Sequence, residues 1–429
     1  MRCCRLCLAL SLALHASAEY FVDCNAGADN ASGLSPSSAF RTLDRARIAV
    51  RSSPAAVTVN VLPGDCFPAA AGQLVANYSL SVLSLSVEDS GTDAAPISYV
   101  AAAGPGSARL LAGAPLAAAL WRPYNGSILQ LDLAVAGIAQ WGVGALASGG
   151  LGSCSNTERL ELFFGGQPMT LARYPNVPLG ARPTAASFMQ VGAVHGPVSF
   201  SAPDQRMLAW GAEAAPWLHG YWSYDWADNH VLATGFARSG NASDANVSVT
   251  LSPVTPPLYG LKAGGRFYGE NLLCELDTAG EYYVDAAAGV LYFYPPAPIA
   301  SAEAFVSIGQ SAISLAGAQH VSLDGFTVSF ARAMGVGRTF DTRRIGRGEV
   351  AHAMAFIRLC SPPCCRFRRW TLTPFSCQTL MSATTEATGS TSLAPTASCE
   401  TSAALAWDAR VYQSAEAKLH RLTLAITLS

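Results

Sequence analysis

An all-β fold is what this 429-residue sequence predicts. Two observations carry the expectation. Short alternating runs such as Val57-Thr-Val59-Asn-Val61 recur along the chain, and turn clusters such as Pro63-Gly64-Asp65 and Gly104-Pro105-Gly106 separate them every ten residues or so. Helical spacing is confined to one short stretch, where Phe40, Leu43, Ala46 and Val50 fall on one stripe.

The chain opens with a leader rather than a folded element. Arg2 and Arg5 are basic, Leu6 to Leu14 is apolar but for Ser11, and Ala16-Ser17-Ala18 is a small-residue cleavage site. Residues 1–18 therefore read as a secretory signal peptide, with the mature chain starting at Glu19 and exported from the cell. The apolar stretch is far short of the ~20 residues a membrane span needs, and no later segment supplies one. Charged residues make up 13% and hydrophobic ones 50%, ample for a large core, and a net charge of −2 gives no reason to expect nucleic acid. Sequons at Asn30, Asn77, Asn125, Asn241 and Asn246 suit a glycosylated extracellular surface.

After the leader, Tyr20-Phe-Val22 is a short strand. Asn25, Gly27, Asp29, Asn30 and Gly33 form a polar turn, and Thr42 caps the helical stripe. This strand, glycine-rich loop and short helix resemble the opening of secreted right-handed parallel β-helix proteins, the pectin-lyase-like fold. There the helix plugs the end of the coil, because a solenoid's first rung otherwise exposes its core and an open edge. Further strands follow at residues 79–87, 97–100 and 109–111, and the alternation slips once between Val82 and Leu83, which suggests a bulge or corner. Glu88-Asp-Ser-Gly-Thr92, Ala95-Pro-Ile97, Ala102-Ala-Gly104 and Trp121 resemble a recurring stretch in one glycoside hydrolase-like group of that fold, whose members act on cell-wall polysaccharides.

Residues 155–303 break the rhythm. Leu160 to Phe164 leads into Gly165-Gly166, a hairpin signal, and Arg173-Tyr-Pro-Asn176 follows. The densest aromatic cluster then runs Trp217-Leu-His-Gly-Tyr-Trp-Ser-Tyr-Asp-Trp-Ala-Asp-Asn-His230, and Glu281–Val284 and Val290–Tyr294 form a hairpin around Asp285 to Gly289. These stretches resemble the same group, in which the corresponding segment is an extra β-rich module inserted between early and later rungs. The resemblance covers roughly residues 20–331. It implies cap and first rungs over 19–154, the inserted module over 155–303, and resumed rungs over 304–340, where Val306, Ile308, Ile313, Leu315, Val321, Leu323, Phe326, Val328 and Phe330 fill inward positions.

Residues 341–429 have different grammar, with ten Lys/Arg against six Asp/Glu, five cysteines and no rung periodicity. No fold is expected there. The segment reads either as a Ser/Thr-rich disordered stalk or as an aberrant tail replacing C-terminal rungs. Among the cysteines of the body (Cys24, Cys66, Cys154 and Cys274), Cys24 with Cys66 is the favoured disulfide, since each follows a strand near the capped end; free thiols are the alternative.

Candidate chemistry is sparse. Neither a nucleotide loop nor a metal-ligand spacing is present in the sequence, and no cofactor or metal is expected. Glycosidic hydrolysis needs two carboxyls at a fixed spacing. The resemblance implies that most rungs carrying them lie beyond residue 340, so no catalytic residue transfers. The local candidates are Asp225 and Asp228 as acids, with Trp222, Tyr224, Trp226 and His230 as sugar contacts. On one continuous strand the three aromatics share a face with Asp228 and His230, while Asp225 lies opposite. The alternative is that the aromatics fill the module's core. The expectation is a secreted carbohydrate-active protein whose partner is a polysaccharide or glycan surface. It resembles hydrolases but lacks their later catalytic rungs; a non-catalytic glycan binder, a truncated inactive product and a polysaccharide lyase are the alternatives.

Overall fold

The computed structural model describes residues 17–51, 53–68, 80–138, 159–238 and 246–332, and the backbone of 334–338, 355–357 and 422–428. The signal-peptide reading of residues 1–16, the sequons at Asn77 and Asn241, and Cys154 lie outside the described residues. The described chain is all-β, with one α-helix, Leu43–Val50, and several short 3-10 turns.

The strands before residue 112 and after residue 310 form three parallel stacks. In the first, Ala18–Val22, Val57–Val61, Ile97–Ala101 and the first half of Val321–Ser329 pair in order, with Val59 beside Tyr99 and Tyr99 beside Leu323. Gly64–Cys66, Ala108–Leu111 and Thr327–Ser329 form the second. Leu83–Ser86, Ser311–Ala316 and Met334–Arg338 form the third. Strand alternation explains the shared core. Val57, Val59, Val61, Ile97, Tyr99, Val321 and Leu323 are all buried, whereas Thr58, Asn60, Ser98 and Ser322 between them are partly exposed. Segments more than 200 residues apart thus share sheets in matched register, and Ser322 Oγ bonds Ser98 Oγ at 2.8 Å across 224 positions.

The helix covers the first end of this core. Leu43, Ala46 and Val50 are buried, and Thr42 Oγ1 accepts the Arg45 N–H at 3.1 Å. Asp29, in the polar turn, fixes the helix start by accepting the N–H of Arg41 and of Thr42 and the Thr42 hydroxyl. From the helix, Arg47 and Arg51 reach Asp89, which is 1% exposed and also accepts the N–H and hydroxyl of Ser86. Burial alone would raise this carboxyl; Arg51, Ser86 and Arg47 outweigh it and hold it below the usual carboxylate range. The helix and the turn at residues 87–89 are thereby locked by charge as well as by packing.

Cys24 and Cys66 form the disulfide, closing 42 residues between the first two parallel layers. Cys274 is exposed.

Antiparallel sheets occupy the region between. Gly113–Pro115 and Ala304–Ser307 lie side by side as the chain leaves and rejoins the stacks, with Leu162–Phe164 against the latter. One sheet joins Glu281–Asp285, Val290–Phe293, Ile128–Asp132 and Arg122–Asn125. Another runs Arg173–Tyr174, Arg266–Glu270, Trp217–Tyr224, Ala227–Arg238, Val247–Leu251 and Ser199–Ala202. Arg122–Asn125 and Ile128–Asp132 therefore pair with the antiparallel region, which begins before the expected residue 155. Arg122–Asn125 pairs with Ile128–Asp132, and Ile128–Asp132 pairs in turn with Val290–Phe293, about 160 positions downstream and beyond what local pattern shows.

The expectation of no fold over 341–429 also needs correcting at two places. Leu422–Leu428 pairs antiparallel with Val321–Val328, and Ala355–Ile357 pairs with Leu422–Leu428. The sequence Leu-Thr-Leu-Ala-Ile-Thr-Leu alternates cleanly, and the outer edge of Val321–Ser329 offers unsatisfied backbone groups for it to meet.

Two predictions follow from this architecture. Replacing Cys24 and Cys66 together by alanine should lower unfolding free energy by up to about 4 kcal/mol, as the loop-entropy relation gives for such a ring, and denaturant unfolding of the oxidised and variant proteins measures it. Glu281, 1% exposed, is pushed up from 4.5 to about 8 chiefly by burial, against the N–H groups of Thr278 and Arg173 that favour its ionised form. A raised folded value means the native state holds a proton that the unfolded chain has lost, so this group's contribution falls as pH rises from about 4.5 to about 8. Glu281→Gln should flatten that decline, and melting curves across this range test it; a parallel decline in the variant would contradict it.

Candidate functional site

The stretch rich in Trp and Tyr is a hairpin rather than one strand. Trp217–Tyr224 and Ala227–Arg238 pair antiparallel, and Tyr224 opposite Ala227 leaves Asp225 and Trp226 at the turn. The chain reversal takes Trp226, Asp228 and His230 off the strand that carries Trp222 and Tyr224. Trp222 points into the core at 1% exposure, its ring stacked 5.7 Å from Phe267 and its Nε1–H donated to the Asn229 carbonyl. Trp222 is therefore a core residue, and the expectation that it contacts sugar is corrected. It packs with Phe200, Leu218, Val231 and Phe267.

Tyr224 and Trp226 remain outside, 50% and 53% exposed. Their rings stack at 5.3 Å and 17°, and Tyr259, also 50% exposed, meets both edge-on. Tyr259 belongs to a loop tied to the hairpin. Ser223 Oγ donates to the carbonyls of Tyr259 and Gly260, and Asn229 bonds the Pro256 carbonyl and the Leu258 N–H. Three large aromatic surfaces are thus held in fixed relation at the exposed hairpin turn. Asp225 stands beside them at 86% side-chain exposure, paired with Arg266 at 2.9 Å, and Arg266 lies over the rings of Tyr221 and Phe188.

The other face of the same three strands is polar. His219 and His230 are directly opposite in the pairing, and their rings stack at 4.0 Å and 14°. His219 Nε2 meets Asp228 at 2.7 Å and its Nδ1 meets the Tyr268 hydroxyl at 2.5 Å. A carboxylate only accepts, so His219 carries its proton on Nε2 and Nδ1 accepts from Tyr268. His230 Nδ1 meets Glu270 Oε1, while Glu270 Oε2 faces Arg159 at 3.8 Å. Burial would raise Glu270, but His230 and Arg159 prevail and hold it at about 2. Burial lowers His219, outweighing its bond to Asp228, and that same bond lowers Asp228. His230 is buried at 2%, so its place among sugar contacts is corrected as well: it lies beneath the surface against Glu270.

Asp225 and Asp228, the two candidate acids, do not converge. The first answers to Arg266 at the tip and the second to His219 on the polar face. Sequence reasoning missed Tyr259, which stands 33 positions beyond Trp226, and the convergence of His219, Tyr268 and Glu270 on Asp228 and His230. The signal available was period two: His219 and Tyr221 on one strand, Tyr268 and Glu270 on another, both opposite Leu218 and Phe267.

No family model matches the chain, and no curated protein does. Among solved structures, a glycoside hydrolase matches with a TM-score of 0.53 at 16% identity, over 73% of this chain and 51% of that one. The chain thus spans about half of that enzyme's length, and the likeness is one of fold. A complex of XylC with xylose aligns over 74% of this chain and 36% of that one, at 12% identity and a TM-score of 0.34.

The two tryptophans give a direct check on the hairpin's two sides. Trp222→Ala should cost about 3–5 kcal/mol of stability, as emptying a packed indole site does, whereas Trp226→Ala should stay within about 0.5 kcal/mol. Equal losses in urea titrations would contradict the assignment of faces.

Proposed function

We propose that this chain is a secreted, carbohydrate-active protein built on a right-handed parallel β-helix, with an antiparallel module inserted between its rungs, and that the module's tip binds sugar rings. The observation that carries the reading is the exposed set of Tyr224, Trp226 and Tyr259 beside the Asp225 carboxylate. Large aromatic rings held open to water by a pinned loop give up little entropy when a flat apolar face docks on them. A pyranose offers such a face through its C–H groups, and its hydroxyls donate to a carboxylate. Three parallel stacks on either side of the antiparallel region support the solenoid, as does the fold shared with a glycoside hydrolase. The disulfide is compatible with an oxidising, extracellular setting, and among the described residues no helix is long and apolar enough to cross a membrane.

The reading favours neutral glycans over sulfated ones, because the aromatic set is flanked by an acid whose own cation, Arg266, is already engaged. The test is titration of residues 19–429 with neutral and sulfated oligosaccharides, read by tryptophan fluorescence and calorimetry. Trp226→Ala and Tyr224→Ala should each weaken binding about tenfold, the equivalent of roughly 1.4 kcal/mol. Binding that survives both substitutions, or no binding across the panel, would overturn the proposal.

A further inference from the structure

Three neighbouring strands of the module each bring one metal-ligating side chain to the same place. His230 comes from Ala227–Arg238, His219 from Trp217–Tyr224 and Glu270 from Arg266–Glu270. One ligand atom from each lies within 4.8 Å of the other two. His230 and Glu270 are 2% and 3% exposed, and His219 is largely covered. We infer that His219, His230 and Glu270 form a binding site for a divalent ion of the zinc class.

The donor set selects the ion. Two imidazoles and one carboxylate suit Zn²⁺, Ni²⁺ or Cu²⁺, whereas Ca²⁺ takes six to eight oxygens and Mg²⁺ keeps an oxygen octahedron. Bond lengths near 2.1 Å in a tetrahedral site place ligand atoms about 3.4 Å apart, so the ion draws inward those atoms that stand up to 4.8 Å apart and parts His230 Nδ1 from Glu270 Oε1, which are in direct contact. Two contacts next to the group already orient it. Asp228 holds the Nε2 proton of His219, which leaves Nδ1 as the nitrogen with a lone pair; a carboxylate behind a ligating histidine raises its basicity in this way. Arg159 faces Glu270 Oε2, which leaves Oε1 turned toward His230. Binding costs the stacked arrangement of the two rings, the hydrogen bond from Tyr268 to His219 and the hydrogen bond from His230 Nδ1 to Glu270. Only an ion with high nitrogen affinity repays those losses, which is why the alkaline-earth ions are excluded. The spacing of His219, His230 and Glu270 matches no short metal motif, so the sequence alone gives no sign of the site.

This inference is independent of sugar binding at the hairpin tip, and it is tested without any activity. Residues 19–429, purified without a polyhistidine tag, are dialysed against micromolar Zn²⁺ and then against metal-free buffer, and bound metal is measured by mass spectrometry. One zinc per chain is expected, with a melting temperature that rises with added Zn²⁺ and does not respond to Ca²⁺ or Mg²⁺. His230→Ala and His219→Ala should abolish retention, and Glu270→Gln should weaken it at least tenfold. Asp228→Asn should weaken it about 10–100-fold while leaving all three ligands in place. Where a histidine variant fails to fold, Glu270→Gln and Asp228→Asn carry the test. Retention below a tenth of an equivalent in the parent chain, or a full equivalent retained in any folded variant of the three ligands, would overturn the site.

Discussion

The antiparallel module and its two faces hang on one junction. The parallel stacks break after Leu111 and resume at Ser311, and they can resume in register only if the chain returns to the place it left. Gly113–Pro115 and Ala304–Ser307 meet this condition by pairing directly, so departure and return occupy neighbouring strands. The fit is close enough to dictate residue type. A Cβ on Gly113 would stand 2.8 Å from the Phe330 Cβ and 2.9 Å from the Val306 carbonyl oxygen, and one on Gly309 would stand 2.5 Å from the Leu80 carbonyl oxygen. Leu111, Phe163, Phe305 and Phe330 seal the junction, with Phe305 and Phe330 stacked at 4.5 Å. Nearby, Arg332 is buried and donates to the Ser307 carbonyl, so the first turn after the resumed strand is tied to the returning one.

Beyond that junction, the module separates an apolar core from a hydrogen-bonded polar cluster across the thickness of a single sheet. Leu218, Trp222, Val231 and Phe267 face a packed apolar core, which tolerates no missing volume. Their immediate neighbours in sequence, His219, Tyr221, His230 and Tyr268, face the other way into a hydrogen-bonded polar group. The second face draws its precision from the first, because side chains on a well-packed sheet have little freedom to drift. At the hairpin tip the same strands run out of core, and Tyr224 and Trp226 emerge as exposed rings held by a loop that is itself pinned through Ser223 and Asn229.

Charge is handled differently from one buried acid to the next. Near the helix, Asp89 is surrounded by Arg47, Arg51 and Ser86 and stays ionised although buried. In the module, Glu275 takes Arg206 and the Trp210 indole N–H, and Glu270 takes Arg159 and His230. Glu281 instead meets only backbone N–H groups in its described contacts, and its carboxyl is pushed into the neutral range. A buried acid keeps its charge where a cation or a ring of donors outweighs the loss of water. Glu270 and Glu281 show how closely placed strands supply that compensation unequally.

The sequence by itself determined the elements whose signals are local. The strand alternation of Val57 to Val61, the Thr42 cap with its Leu43, Ala46 and Val50 stripe, the Asp285 to Gly289 turn and the all-β class were legible because each rests on spacing within a few residues. The Cys24–Cys66 pairing was one of several the sequence allowed, and the folded chain selects it by placing two early layers side by side. Tertiary structure alone decided the rest. Period two assigned Trp222, Tyr224 and Trp226 to one face, but the strand leaves the core after Trp222 and the chain reverses at Asp225 and Trp226, so the first is buried and the others are exposed. Tyr259 joined them from a distant loop, and Glu270 reached His230 across an intervening strand. The alternating strand Leu422–Leu428 found its partner nearly 100 positions upstream. Local pattern fixes which side of a strand a residue occupies relative to its neighbours. Which strands lie together, and which side meets water, depends on contacts whose partners no short window contains.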